Sequence, residues 1–232
     1  MPRFFRSGFL ILSLAWGPGM DLRAQEEGGG LPPGLPDGWY ARIDTSMGTI
    51  LARLLPEQAP QSVAHFAALA QGRLPWIDPL TGTTKQGHYY DGLLVHKAEA
   101  AQRFETGDPT ATGRGAPLFY VPIEGVGPIN FHQPWRLGMT RSSQGKISGV
   151  LFFVTVSSLP HLSGRHPCFG EVVSGKKVVR SICSVKTLSD GKPLEPIVVE
   201  RLRVLKAGEP PPLPDPVPYR PPASEFGPRR DP

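Results

Sequence analysis

The chain has 232 residues, 39% of them hydrophobic, and a formal net charge of +5 at neutral pH. This length is enough for one domain of ordinary size with flanking segments, and the apolar content excludes a chain that is disordered throughout. Lysine and arginine do not cluster together with aromatic residues, so nucleic-acid binding is not indicated. The 27 glycines and 28 prolines favour many short strands and turns over long helices.

The first 24 residues have the order of a secretory signal peptide. Arg3 and Arg6 precede an apolar run over residues 9–16, and small residues follow as far as Ala24. The apolar run is shorter than the ~20 residues of a membrane-spanning helix, so we expect no stable membrane insertion. Leu22 stands where a cleavage site prefers a small residue, which leaves an uncleaved anchor as the alternative. We expect an exported protein, periplasmic or extracellular.

Two segments rich in glycine and proline flank a central domain, residues 39–206. Residues 25–38 have the composition of a linker. Residues 207–232 are dense in proline, and we expect this tail to be extended or disordered. Its spacing of prolines is also compatible with docking into an aromatic groove of another protein, but a structureless spacer is the simpler interpretation.

Within the domain, alternating and apolar runs predict strands at residues 39–45, 49–54, 93–96, 151–156, 168–173 and 197–205. Pro60 opens a segment with apolar residues at helical spacing that ends at Gly72, and a second helix is predicted over residues 176–184. Two helices among many short strands favour a closed β-barrel with helical caps.

The chain has two cysteines, Cys168 and Cys183, fifteen residues apart. In an exported protein they could form a disulfide, and they could also be two buried thiols; the sequence leaves both open. Neither a C-x-x-C spacing nor a pair of histidines at i, i+4 is present, so no metal site is indicated.

Five motifs occur in the chain in this order: MGTILARLLPEQAPQSVAHFAALAQG, YYDGLLVHKA, GDPTATGRG, GVLFFVT and LSGRHPCFGEVVSGKKVV. Together they resemble the cyclophilin-type peptidyl-prolyl cis-trans isomerases over about residues 40–206. The resemblance implies a closed, eight-stranded antiparallel β-barrel capped by two helices. It also implies isomerisation of the peptide bond before proline, a reaction that needs no cofactor or metal.

The resemblance places Lys97 where the family has its catalytic arginine. It assigns further residues to the substrate-binding groove: His96, Gln102, Arg103, Glu105, Arg141, Leu151, Phe153, His161, Leu162 and His166. Of these, Phe153 is expected to form the floor of the pocket that receives the proline ring. Leu162 and His166 match the family's pattern.

Several other groove positions depart from that pattern. Gln102, Arg103 and Glu105 stand where the family has an aromatic residue, a methionine and a glutamine. Leu151 replaces a glutamine, and His161 replaces an aromatic residue at the rim, where it could contact a peptide or be a plain surface histidine. Framework positions match while much of the lining differs.

Two functions follow as hypotheses. The first is an exported prolyl isomerase that acts on X-Pro bonds of proline-containing peptides or unfolded proteins, as a monomer, with activity weakened because Lys97 is not a planar guanidinium. The second is a catalytically inactive peptide-binding or interaction module that keeps the barrel and uses an altered groove.

Overall fold

The computed structural model describes residues 30–115, 119–125, 127–141 and 145–217. The predicted signal peptide, residues 1–24, lies outside the described residues, as do residues 25–29 of the linker and 218–232 of the tail. Within the described ranges, no helix is long and apolar enough to cross a membrane.

The described residues form eleven strands and two α-helices. In chain order they are β1 (Gly38–Thr45), β2 (Gly48–Leu54), α1 (Pro60–Ala70), β3 (Trp76–Ile77), β4 (Thr84–Lys85), β5 (Leu93–Leu94), β6 (Lys97–Glu99), β7 (Arg103–Thr106), β8 (Arg136–Arg141), β9 (Ile147–Thr155), β10 (Cys168–Ser174), α2 (Lys176–Ile182) and β11 (Val198–Ala207). A 3₁₀ helix, Pro160–Leu162, lies between β9 and β10. The predicted mainly-β class with two helices is confirmed.

Nine of these strands form one curled antiparallel sheet in the order β5-β11-β1-β2-β10-β8-β9-β7-β6, and β3 and β4 form a separate hairpin. The predicted closed, eight-stranded barrel is therefore wrong. The two edge strands of the sheet, β5 and β6, are neighbours along the chain rather than hydrogen-bonded partners.

The change of partner between β5 and β6 explains the difference. The N–H of Val95 donates to the carbonyl of Ile197, beside β11, at 2.9 Å, whereas the N–H of His96 donates to the carbonyl of Glu105 in β7 at 3.1 Å. Of the strand predicted at residues 93–96, only Leu93–Leu94 is present, and a separate strand begins at Lys97. Chain continuity, not a ladder of hydrogen bonds, joins the two edges of the sheet.

Helix α1 fills the inside of the curled sheet. Pro60 occupies its first turn, where a missing N–H costs nothing, and the Glu124 carboxylate accepts the free N–H groups of Gln61 and Ser62. Nine of its eleven residues are buried. Phe66 lies at the centre of the core, where its ring contacts those of aromatic residues on three other segments.

The two cysteines are free and buried. Burial, the largest influence on both thiols, raises the pKa of Cys168 to about 12 and that of Cys183 to about 12. Of the two possibilities left open by the sequence, the structure has two separate buried thiols.

The described part of the tail, residues 208–217, contains no helix or strand and lies against the domain. The indole of Trp39 donates to the carbonyl of Pro211 at 2.8 Å, and the N–H of Val217 donates to the side chain of Gln61 at 3.0 Å. Leu213 packs against the core. A cleft of about 700 Å³ separates this segment from the loop that follows β2.

Candidate active site

The hairpin formed by β6 and β7 carries the charged residues of the site on one face. Lys97 pairs with Glu105 and Glu99 pairs with Arg103 across the hairpin, and Glu105 pairs in turn with Phe153 of β9. Since alternate residues of a strand share a face, all four charged side chains lie on the same side of the sheet as Phe153.

These charges form a linked network of ion pairs. Glu99 accepts from both cations of the hairpin, from Lys97 Nζ at 2.8 Å and from Arg103 Nε at 3.0 Å. Arg103 also donates to the Glu105 carboxylate, at 2.9 Å from its terminal nitrogen and 3.0 Å from Nε. Lys97 is the more exposed of the two cations, with 35% of its side chain accessible against 17% for Arg103.

The buried carboxylate of Glu105 is held in its charged form. Burial acts to raise its pKa, but the neighbouring His96 imidazole and the positive charges of Arg103 and Lys97 outweigh burial, and the pKa lies below its usual value. His96 Nε2 is 3.9 Å from Glu105. Glu105 is therefore an anion at neutral pH and fixes the position of Arg103.

Phe153 is the centre of a second apolar cluster, separate from the main core, formed with Phe131, Leu159, Leu162 and Cys168. The ring of Phe131 is 5.4 Å from that of Phe153, and His166 meets it edge-on at 5.5 Å. The Arg103 guanidinium lies over the same ring, 5.1 Å from its centroid. The cluster thus has apolar walls and a cationic cover.

His166 is neutral at physiological pH. Its Nδ1 is 2.8 Å from the carbonyl of Met139, which assigns the proton to Nδ1 as the donor. Burial is the largest influence and lowers its pKa, and the charges of Arg103 and Arg141 act in the same direction. The Met139 bond and the Glu105 charge oppose them without reversing the shift.

The remaining predicted site residues lie at different depths. His96 is buried and its Nδ1 has no hydrogen-bond partner among the described residues. Gln102 lies exposed in the turn of the hairpin, and His161 is exposed on the 3₁₀ helix. Arg141, also exposed, donates to the carbonyl of Gly145 at 2.6 Å. Leu151 is buried in the main core rather than in the cluster around Phe153.

Residues 40–204 match the model of the family described as "Cyclophilin type peptidyl-prolyl cis-trans isomerase/CLD". The match covers well over half of the chain. The chain belongs to the cyclophilin-type peptidyl-prolyl cis-trans isomerases. The predicted family and enzyme class are confirmed.

Relatives of this cyclophilin align with it over nearly their whole length. It is 37% identical over 168 residues to peptidyl-prolyl cis-trans isomerase B of Streptomyces anulatus, which covers 71% of this chain and 95% of the relative. It is 34% identical over 166 residues to peptidyl-prolyl cis-trans isomerase A of Mycobacterium tuberculosis, which covers 71% of this chain and 91% of the relative.

A solved structure supports the same assignment. The cyclophilin-type isomerase of Cryptosporidium parvum, crystallised in the presence of the dipeptide Ala-Pro, superposes with a TM-score of 0.59 at 25% sequence identity. The superposition covers 72% of this chain and 98% of that one.

Three residues of this cyclophilin's site were not predicted. Glu99 joins Lys97 to Arg103, and the alternation of residues 97 and 99 along one strand could have placed it on their face. Phe131 lies in a loop with no pattern to mark it. Gly138 is required because a Cβ there would overlap the rings of Phe131 and Phe153.

The chemistry available to this arrangement is electrostatic. No group of three or more potential metal-ligating side chains occurs among the described residues. Two cationic side chains, Lys97 and Arg103, lie on the same face of the sheet as the apolar cluster around Phe153.

Proposed function

We propose that the chain isomerises X-Pro bonds in proline-containing peptides or unfolded proteins, at a reduced rate, with Lys97 as the donor to the prolyl amide. One observation carries this proposal: Lys97 lies across from Glu105, on the same face as Phe153, so a cation and an apolar floor share one side of the sheet.

The barrier to this reaction comes from amide resonance and is ~18–20 kcal/mol. A twisted amide has a pyramidal, more basic nitrogen, so a positive donor aimed at that atom stabilises the transition state more than the planar ground state. Burial of the proline ring against Phe153 would hold the substrate while the bond turns. The reaction requires neither a nucleophile nor proton transfer.

The geometry around Lys97 supports a weakened rate. An ammonium group is a point charge on a flexible stem, whereas an arginine presents several donors in a fixed plane. The 2.8 Å contact with Glu99 also engages the ammonium with a carboxylate, which competes with a substrate amide for it. Both effects reduce the electrostatic stabilisation that the transition state receives.

Exchange spectroscopy by NMR on an Ala-Pro peptide tests this role directly. We expect Lys97→Ala to lower the catalysed exchange rate by about 10²-fold, the usual cost of removing one such donor. Lys97→Arg should raise the rate above that of the natural chain. Lys85→Ala is the matched control, since Lys85 pairs with Asp78 on the separate β3–β4 hairpin.

Catalysis that survives Lys97→Ala unchanged would remove Lys97 from the mechanism. If the natural chain and the Lys97→Arg variant are both folded but neither catalyses exchange, a peptide-binding module becomes the favoured function. That module should bind peptides equally well after proline is replaced by alanine.

We also propose that the protein is exported, on the order of basic, apolar and small residues in positions 1–24. Expression in a bacterial host followed by fractionation and N-terminal sequencing should give a periplasmic or secreted chain that begins at Gln25. A chain retained in the cytosol with its original N-terminus would contradict export, and a membrane-bound, uncleaved chain would indicate an anchor.

A further inference from the structure

The floor of the proposed proline pocket has almost no accessible surface. Phe153 is 1% exposed, Phe131 0% and Leu162 5%. A proline ring can bind only where it contacts apolar surface, because its binding energy comes from the area that both partners remove from water. In this state of the site the floor is closed.

Arg103 covers that floor. Its guanidinium lies 5.1 Å from the centroid of Phe153, within the range of a favourable cation–π contact. Two carboxylates hold it there, with Glu99 at 3.0 Å and Glu105 at 2.9 Å. Glu105 is itself buried and charged, so this anchor does not depend on a mobile surface group.

We propose that Arg103 is the residue that determines access to the proline site: it covers Phe153 in the free protein and must leave for a proline ring to bind. This inference rests on the proposed function for the identity of the ligand. The guanidinium then exchanges its contact with Phe153 for solvent, while its chain neighbours on β7 remain in place.

Because Arg103 must first leave Phe153, the apparent affinity of the site for a proline-containing peptide is reduced. A site that is open a fraction of the time binds more weakly by that fraction, so an open population of about one tenth lowers affinity about tenfold. Arg103 therefore contributes to slow turnover independently of Lys97, since one residue restricts entry and the other limits the chemical step.

The position of Arg103 over Phe153 has a second interpretation, which predicts the opposite effect on catalysis when Arg103 is removed. If Arg103 were itself the donor to the prolyl amide, its removal would lower catalysis. If it covers the floor, removal raises peptide affinity and kcat/KM. The direction of the change distinguishes the two roles.

The test compares Arg103→Met and Arg103→Lys with the natural chain, by NMR titration and exchange spectroscopy with an Ala-Pro peptide. We expect Arg103→Met to bind the peptide about tenfold more tightly and Arg103→Lys to be intermediate. Arg73→Met is the matched control, since Arg73 lies beyond α1 and bonds Gln71 in an exposed position. Arg103→Met combined with Glu105→Gln keeps the charges balanced if the single variant is unstable.

A second test uses the natural chain alone, so it does not depend on whether any Arg103 variant folds. The Nε–H resonance of Arg103 should be shifted upfield by the Phe153 ring current in the free protein, and should move downfield as the peptide saturates the site. A resonance that is unshifted, or that does not respond to peptide, overturns the proposal. So does unchanged or weaker binding by Arg103→Met.

The outcomes separate this inference from the proposed function. If Arg103→Met binds proline peptides more tightly but no variant catalyses exchange, Arg103 covers the site and the proposed isomerase activity is rejected. Tighter binding with faster exchange supports both. Slower exchange in Arg103→Met would make Arg103 a donor and reject the cover.

Discussion

Two aromatic clusters lie back to back on β9, and they differ in what surrounds them. Phe152 points inward to the cluster centred on Phe66, whose ring lies 5.2 Å from Tyr90, 5.3 Å from Phe152 and 5.1 Å from Phe169. Phe153, the next residue, points to the other face, where its neighbours are Phe131, His166 and the Arg103 guanidinium.

The difference assigns separate roles to two equally buried rings. The inner cluster is enclosed by apolar side chains of the helix and sheet, so its packing contributes mainly to stability. The outer cluster is enclosed in part by the Arg103 guanidinium and by the His166 imidazole. Burial alone does not distinguish a structural ring from a ligand-binding one, whereas the chemistry of its neighbours does.

Identical substitutions in the two clusters should therefore separate stability from activity. We expect Phe66→Leu to lower the free energy of unfolding by about 1–2 kcal/mol, as core shape changes usually do, and to leave the exchange rate per folded molecule unchanged. We expect Phe153→Leu to reduce catalysed exchange about tenfold, since an aromatic contact contributes ~0.5–1.5 kcal/mol beyond its area. Urea unfolding and NMR exchange spectroscopy measure the two quantities.

If Phe153→Leu changes only stability, Phe153 is a core residue like Phe66 and has no separate role in the site. A loss of exchange in Phe66→Leu, measured where that variant is fully folded, would show that the inner cluster shapes the site. Each variant is the control for the other.

Much of the fold could be predicted from local patterns. The β1–β2 hairpin shows alternation, and α1 has a proline at its start, apolar residues at helical spacing and a glycine just beyond its end. Strands β3, β4, β6, β7 and β8 were missed. In β7 the alternating residues are Arg103 and Glu105, so no apolar periodicity marks it. Closure was mispredicted because the change of partner at Val95 and His96 depends on tertiary contacts.

The site could be predicted less completely, for a related reason. Motif order placed Lys97, Phe153 and His166 along the chain. The contact of Arg103 with Phe153 depends on the registers of β6, β7 and β9, and a slip of one residue would turn Arg103 to the opposite face. No local sequence pattern specifies the register between distant strands. The assigned roles of the groove residues therefore stay predictions.

The smallest expected effect concerns pH and again involves the outer cluster. His166 has a folded-state pKa below its usual value of about 6.5, mainly through burial and also through the charges of Arg103 and Arg141. The unfolded chain therefore binds this proton more readily than the folded one. Stability from neutral His166 is fully present above pH of about 6.5 and is lost as the pH falls through the lowered pKa.

Buried His65 has a pKa shifted in the same direction, so the natural chain should lose stability through two histidines in that window. His166→Gln retains a donor for the Met139 carbonyl but does not titrate. We expect its free energy of unfolding, measured in urea at intervals between pH 7.5 and 5, to fall less steeply than that of the natural chain. His132→Gln, at an exposed position, should follow the natural chain. Parallel curves for the natural chain and His166→Gln would show that the His166 imidazole protonates beside Arg103 without a cost in stability. The outer cluster would then be no more sensitive to pH than the inner one.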